Sequence, residues 1–257
     1  MQASIHPTTD TSARYVLRIG DTCLILGQRL AEWTGHAPVL EEDIALANMA
    51  LDLIGQSRAL LSLAGAIGSE RHDEDQLAFL RDERDYANLT LAELPRGDFA
   101  FTVLRNLVLS TWLKQLWMAL ESSSNAELAA IAGKAVKEAR YHQQHAADWV
   151  VRLGDGTPES AARMHKALQQ VWRYVPELFN EDAIDAAAHA AGLGPLWSSL
   201  QAPWAHEVHA VLQAAQLAIP ADTAFRSHGK RGVHSEHMGF LLAEMQHLQR
   251  SFPGGVW

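Results

Sequence analysis

The chain reads as an all-α protein, and three features of its 257 residues lead there. Alanine and leucine are abundant while β-branched residues are confined to short runs, a composition that favours helix. Apolar residues recur at steps of three and four rather than in alternation, the period of a helix face and not of a strand. Glycine, proline and polar caps stand between the periodic runs, where helices stop and start.

The elements can be taken in order. Val16, Ile19, Cys23, Leu26, Leu30 and Trp33 mark the buried face of a first helix, closed by Gly35 and Pro38. A second opens in Glu41-Glu42-Asp43, acids suited to the positive end of the helix dipole, and runs through Ile44, Ala47, Leu51, Ile54 and Leu61 to Gly65. A third is expected from about Asp75 to Leu94, with Leu77, Leu80, Ala87, Leu91 and Leu94 inside and Glu83 beside that stripe. Asp98 caps a fourth, Phe99 to Glu121, apolar nearly all round and so the most buried. A fifth runs to Leu153 and places Ala139 and His142 on its inner stripe. Thr157-Pro158 starts a sixth through Trp172. Shorter helices follow near Asp182–Ala191, from Pro203 to about Leu217, and from about Ser235 to Arg250. Residues 1–257 read as one helical domain, with 1–11 a loose N-terminal arm and 203–257 an additional helical layer.

Charge and motifs narrow the function. A net charge of −9 with no basic stripe excludes an electrostatic footprint for nucleic acid. The single cysteine, Cys23, lies on an apolar stripe and reads as an inert core thiol in a reducing compartment. The most apolar stretch, Leu107 to Leu120, is broken by Ser110, Thr111, Lys114 and Gln115, short of the ~18 residues of a membrane span. Met1 to Thr11 lacks the cationic start and apolar core of a signal peptide, so a cytoplasmic location is expected. Nucleotide-binding, serine-hydrolase and Cys-x-x-Cys signatures do not occur.

The most informative stretch is Lys137-Glu-Ala-Arg-Tyr-His142. Helical bundles that hold two irons use a Glu from each of two helices and Glu-x-x-His from each of the other two. Here Ala139 stands three before His142 and offers a metal nothing. In the sister stretch Glu83-Arg-Asp-Tyr86 a phenol stands where His is needed. The fourth helix carries Arg105 and Lys114 but no acid before Glu121. Glu83, Tyr86, Ala139 and His142 therefore read as the remains of a ligand set, and His142 as a hydrogen-bonded core histidine. Glu244-Met-Gln-His247 is an intact Glu-x-x-His, but the final helix buries Met238, Leu241, Met245, Leu248 and Phe252, which turns the pair toward solvent. The spacer Phe225 to His234 is a basic island, and Arg226, Lys230 and Arg231 on it suit either a phosphate or acidic partner, or a flexible solvated loop. Trp112, Trp117, Trp149 and Trp172 read as core, and Trp197, Trp204 and Trp257 as interface residues.

Six segments together resemble one family: Tyr15–Leu24, Leu30–Pro38, Ala45–Leu53, Phe79–Arg84, Lys137–His142 and His234–Gly239. They are similar to the C-subunit family of the bacterial 1,2-phenylacetyl-CoA epoxidases, the PaaC type, over nearly the whole chain. The resemblance implies a ferritin-like helical bundle with extra C-terminal helices and a non-catalytic role. It implies no cofactor in this subunit, with the di-iron centre in a catalytic A subunit that it pairs with and supports. The complex would epoxidise phenylacetyl-CoA with oxygen and electrons from NADPH. Contact of Lys230 and Arg231 with the A subunit or with the CoA phosphates is a further expectation. The alternatives are an autonomous di-iron or metal-binding ferritin-like protein and a helical adaptor outside oxygenase chemistry.

Overall fold

In the computed structural model residues 3–255 are described, and their regular structure is helical, with no strand among them. They form two compact units. Of the described residues, the first comprises 3–34, 44–95 and 227–255, the second 35–43 and 96–226. No helix among the described residues is long and apolar enough to cross a membrane.

The first unit contains α1 (Thr11–Ala31), α2 (Leu40–Ile67) from Ile44 onward, α3 (Glu74–Phe79), α4 (Thr90–Glu93), α10 (Glu236–Met245) and α11 (His247–Ser251). Asp10 caps α1 by accepting from the Ala13 amide at 2.8 Å. α1 and α2 run antiparallel in close contact: a Cβ on Gly20 would stand 3.2 Å from Leu60, and one on Gly27 3.2 Å from the Ala50 carbonyl oxygen. Their shared interior includes Cys23, fully buried, whose thiol lies 3.6 Å from the Gln56 amide oxygen.

The second unit is built on α5 (Phe99–Leu120), which packs on α6 (Ala126–Gly154), α7 (Pro158–Trp172) and α9 (Gln201–Ala214), with α8 (Ala183–Ala190) between the last two in sequence. Asp98 caps α5 through the Phe101 amide, and Thr157 with Pro158 opens α7. α5 is buried along nearly all its length, as its composition predicts.

Four expectations are corrected. The helix expected from Asp75 to Leu94 is instead α3, a tight turn at Glu83–Asp85 and α4. The stripe Ile44–Leu51 of α2 faces out, with Ile44 54% and Leu51 66% exposed, while Leu46, Met49, Leu53 and Leu60 are inside. The N-terminal segment is not loose where it is described: the Ile5 amide donates to the Leu80 carbonyl at 3.0 Å and Thr8 is buried. Trp197 and Trp204 are core, their indole nitrogens or rings packed inside the second unit, and Trp257 lies outside the described residues.

Candidate functional site

Ala139 and His142 lie where the sequence places them, buried on one face of α6. Glu83 and Tyr86 do not form a comparable pair. The backbone at Glu83–Asp85 is a single tight turn, and it sends Glu83 into solvent while Tyr86 is buried. The Tyr86 hydroxyl donates to the Ala78 carbonyl and accepts from Gln246 Nε2 at 2.8 Å. Burial, only partly offset by the Arg81 charge, pushes this phenol up to about 12, so it stays protonated. The reading of Glu83-x-x-Tyr86 as one helix face is therefore overturned. Lys114 pairs with Glu207, which also accepts from Gln115 and Gln143; burial would raise that carboxyl, but these donors hold it below the usual range. Glu244 and His247 are both exposed and fall on different helices, α10 and α11. No three His, Cys, Asp or Glu side chains among the described residues gather closely enough to hold a metal ion.

The first unit is organised by two buried ion pairs. Arg81 and Asp21 are fully buried and meet through both terminal guanidinium nitrogens, the Nη1 bond at 2.9 Å. Asp21 also accepts from the Ala87 amide, and Arg81 donates to the Asp85 carbonyl and lies 4.1 Å from the Tyr86 ring centre. Glu93, fully buried on α4, accepts from Asn88 Nδ2 at 2.9 Å, from the Ser235 amide and from His234 Nδ1 at 2.7 Å. The other His234 nitrogen lies 3.0 Å from the Tyr86 carbonyl oxygen. Both ring nitrogens thus face acceptors, an environment that suits imidazolium. Burial alone would lower His234, but the Glu93 hydrogen bond and charge outweigh it and raise it above its ordinary value.

These bonds fix the basic island. The Gly229 amide donates to Thr90 Oγ1 at 3.0 Å, and a Cβ there would overlap the Asn88 carbonyl oxygen. Gly232 takes the left-handed conformation, φ 72°, and packs on the Arg84 carbonyl. The segment is not a solvated loop: Lys230 is buried, while Arg231 is exposed. Arg226 belongs to the second unit, where its side chain pairs with Asp222 at 3.2 Å. The island is thus divided between the units.

Lys230 and Arg231 line a cleft of about 220 Å³ in the first unit. Arg14 and Arg18 from α1, Arg84 from the tight turn, and the His6–Asp85 pair complete its polar wall. Sequence reading missed Arg14, Arg18 and Arg84, since the three elements that bring them together are far apart in the chain.

Comparison with known proteins identifies the lineage. The family model described as phenylacetic acid catabolic protein matches residues 1–257. The chain is 49% identical over 243 residues to the C subunit of the 1,2-phenylacetyl-CoA epoxidase of Escherichia coli (strain K12), covering 95% of this chain and 98% of that one. The chain belongs to the phenylacetic acid catabolic protein family.

Proposed function

We propose that this chain is the non-catalytic C-type subunit of a multicomponent 1,2-phenylacetyl-CoA epoxidase, a ferritin-like scaffold that pairs with and supports a di-iron A subunit in aerobic phenylacetate degradation. The observation that carries this reading is likeness to an epoxidase C subunit along almost the full length of both chains. On this reading the electrons originate in NADPH and reach the A subunit, so this chain needs no cofactor of its own.

The donor chemistry supports the non-catalytic part. A di-iron centre calls for carboxylates from four helices and two histidines. On α6 an alanine stands at 139, and α5 carries cations and no acid before its C-cap Glu121. These residues do not fit the group, and no step of the epoxidation is routed through them.

The outward face of α2 supports a partner. Ile44 and Leu51, two turns apart on one face of α2, are both exposed, apolar side chains that a partner would cover. Phe240 is 73% exposed in the same unit. Co-expression of this chain with an untagged A subunit tests the proposal. The expected result is a stable complex in which iron analysis finds the metal with the A subunit. Failure to copurify, or stoichiometric iron in this chain alone, would overturn it.

A further inference from the structure

We infer that the cleft formed by Arg14, Arg18, Arg84, Lys230 and Arg231 is a binding site for a phosphate or pyrophosphate group. This deepens the reading of Lys230 and Arg231 as a CoA-phosphate contact: it adds three cations and leaves out Arg226, which belongs to the other unit and is paired with Asp222.

Three observations carry it. The first is charge: five cationic side chains and one carboxylate, Asp85, line a single cleft in a chain whose net charge is −9. The carboxylate is engaged, with Asp85 Oδ2 3.3 Å from His6 Nδ1. Solubility does not require cations to converge in a concavity, whereas recognition of a compact polyanion does. The second is construction. Arg18 and Lys230 are 1% and 5% exposed, so part of the wall is desolvated charge, held in place by buried bonds rather than by a mobile loop. The Glu93–His234 pair, the Gly229–Thr90 bond and the close seat of Gly232 on Arg84 set the position of the Lys230-Arg231 segment before any ligand arrives. The third is availability. Arg14 and Arg84 are exposed and make no side-chain hydrogen bond or ion pair among the described residues.

Size decides how much of a ligand enters. Sites that enclose a drug-sized molecule run to roughly 300–1,000 Å³. At about 220 Å³ this cleft suits the phosphate-bearing end of a ligand and not a whole coenzyme. Free pyrophosphate and the 3′-phospho-ADP end of a CoA ester offer the same chemistry, and the test separates them.

Isothermal titration of the full chain at low ionic strength with inorganic pyrophosphate, 3′,5′-ADP and CoA is the experiment. Saturable, salt-sensitive binding of pyrophosphate is expected, weakened about tenfold or more in the Arg14→Ser/Arg84→Ser double variant. Both side chains are exposed, so the variant keeps the fold, which circular dichroism checks. Arg226→Ser should bind like the parent. CoA binding tighter than pyrophosphate identifies a CoA ester as the source of the phosphate; pyrophosphate binding with CoA excluded identifies a free phosphate. No saturable binding of any probe, or equal affinity in the double variant, would overturn the site. Because copurification with the A subunit is measured separately, loss of the site leaves the subunit reading standing.

Discussion

Glu93 and His234 lie 141 residues apart and meet directly, each side chain fully buried. Removing one member of such a pair strands the other charge, at a cost of about 3–5 kcal/mol. Glu93→Ala should therefore lower the denaturant midpoint sharply and loosen the segment from His228 to Ser235, seen as faster amide exchange at Gly229 and Ser235. The pH dependence has a definite sign. His234 is raised on folding, so the stability it supplies is fully present below the unfolded histidine value of about 6.5. It is lost as pH rises through the higher folded value. Thermal melts should fall across that window, and His234→Gln should flatten the fall; an unchanged slope in the variant would place the effect elsewhere. Asp21 and Arg81 allow a cleaner measurement, since both are fully buried and bonded to each other. Asp21→Leu and Arg81→Met should each cost several kcal/mol, and the double variant less than their sum, because hydrophobic replacement of a whole buried pair is often near neutral. Strict additivity in urea melts would show that the pair is not coupled.

At the scale of elements, the sequence was readable where one mechanism set the outcome. α1, α5, α6 and α7 fall close to their expected spans because period, cap and breaker agree. The stretch Asp75–Leu94 has a helical period and yet is broken, and the reason is polar tertiary bonding that no local rule sees. Arg81 takes the Leu77 and Asp85 carbonyls, Asp21 takes the Ala87 amide, and Thr22 Oγ1 takes the Leu89 amide at 3.1 Å. Those groups are then unavailable to a helix ladder. The final helix divides at Gln246, whose side chain donates to the Arg81 carbonyl and the Tyr86 hydroxyl while its backbone amide still bonds the Leu242 carbonyl. α2 is a different failure. It carries apolar residues on two faces, so period alone cannot say which one is inside; on the proposed reading a partner covers the outward one. Leu51→Asp combined with Ile44→Asp should leave helicity intact and abolish copurification with the A subunit. Intact copurification would move the interface to another face. The candidate site was half legible: Lys230 and Arg231 stand out in sequence, whereas their partners Arg14, Arg18 and Arg84 join them only through the fold.

Across the whole molecule, the pattern at α6 is one of several concordant departures rather than a lone defect, and that has a measurable consequence. Ala139→Glu recreates Glu-x-x-His on the inner face of α6, beside the buried His142. A single restored pair still lacks the carboxylates that two irons require from other helices. α5, which packs on α6, offers Arg105, fully buried, and Lys114, already paired with Glu207. Metal analysis of the Ala139→Glu protein should therefore find iron far below one equivalent. The new carboxylate would also enter a site that is 1% exposed in the parent, where an unpaired charge is costly, so the variant should melt lower than the parent. That penalty should ease as pH falls and the new group protonates, since burial without a partner raises a carboxyl. Stoichiometric iron with an oxo-bridge absorption, or a melting point raised by added iron, would show that the chain retains a metal site and would remove the basis for assigning it a supporting role.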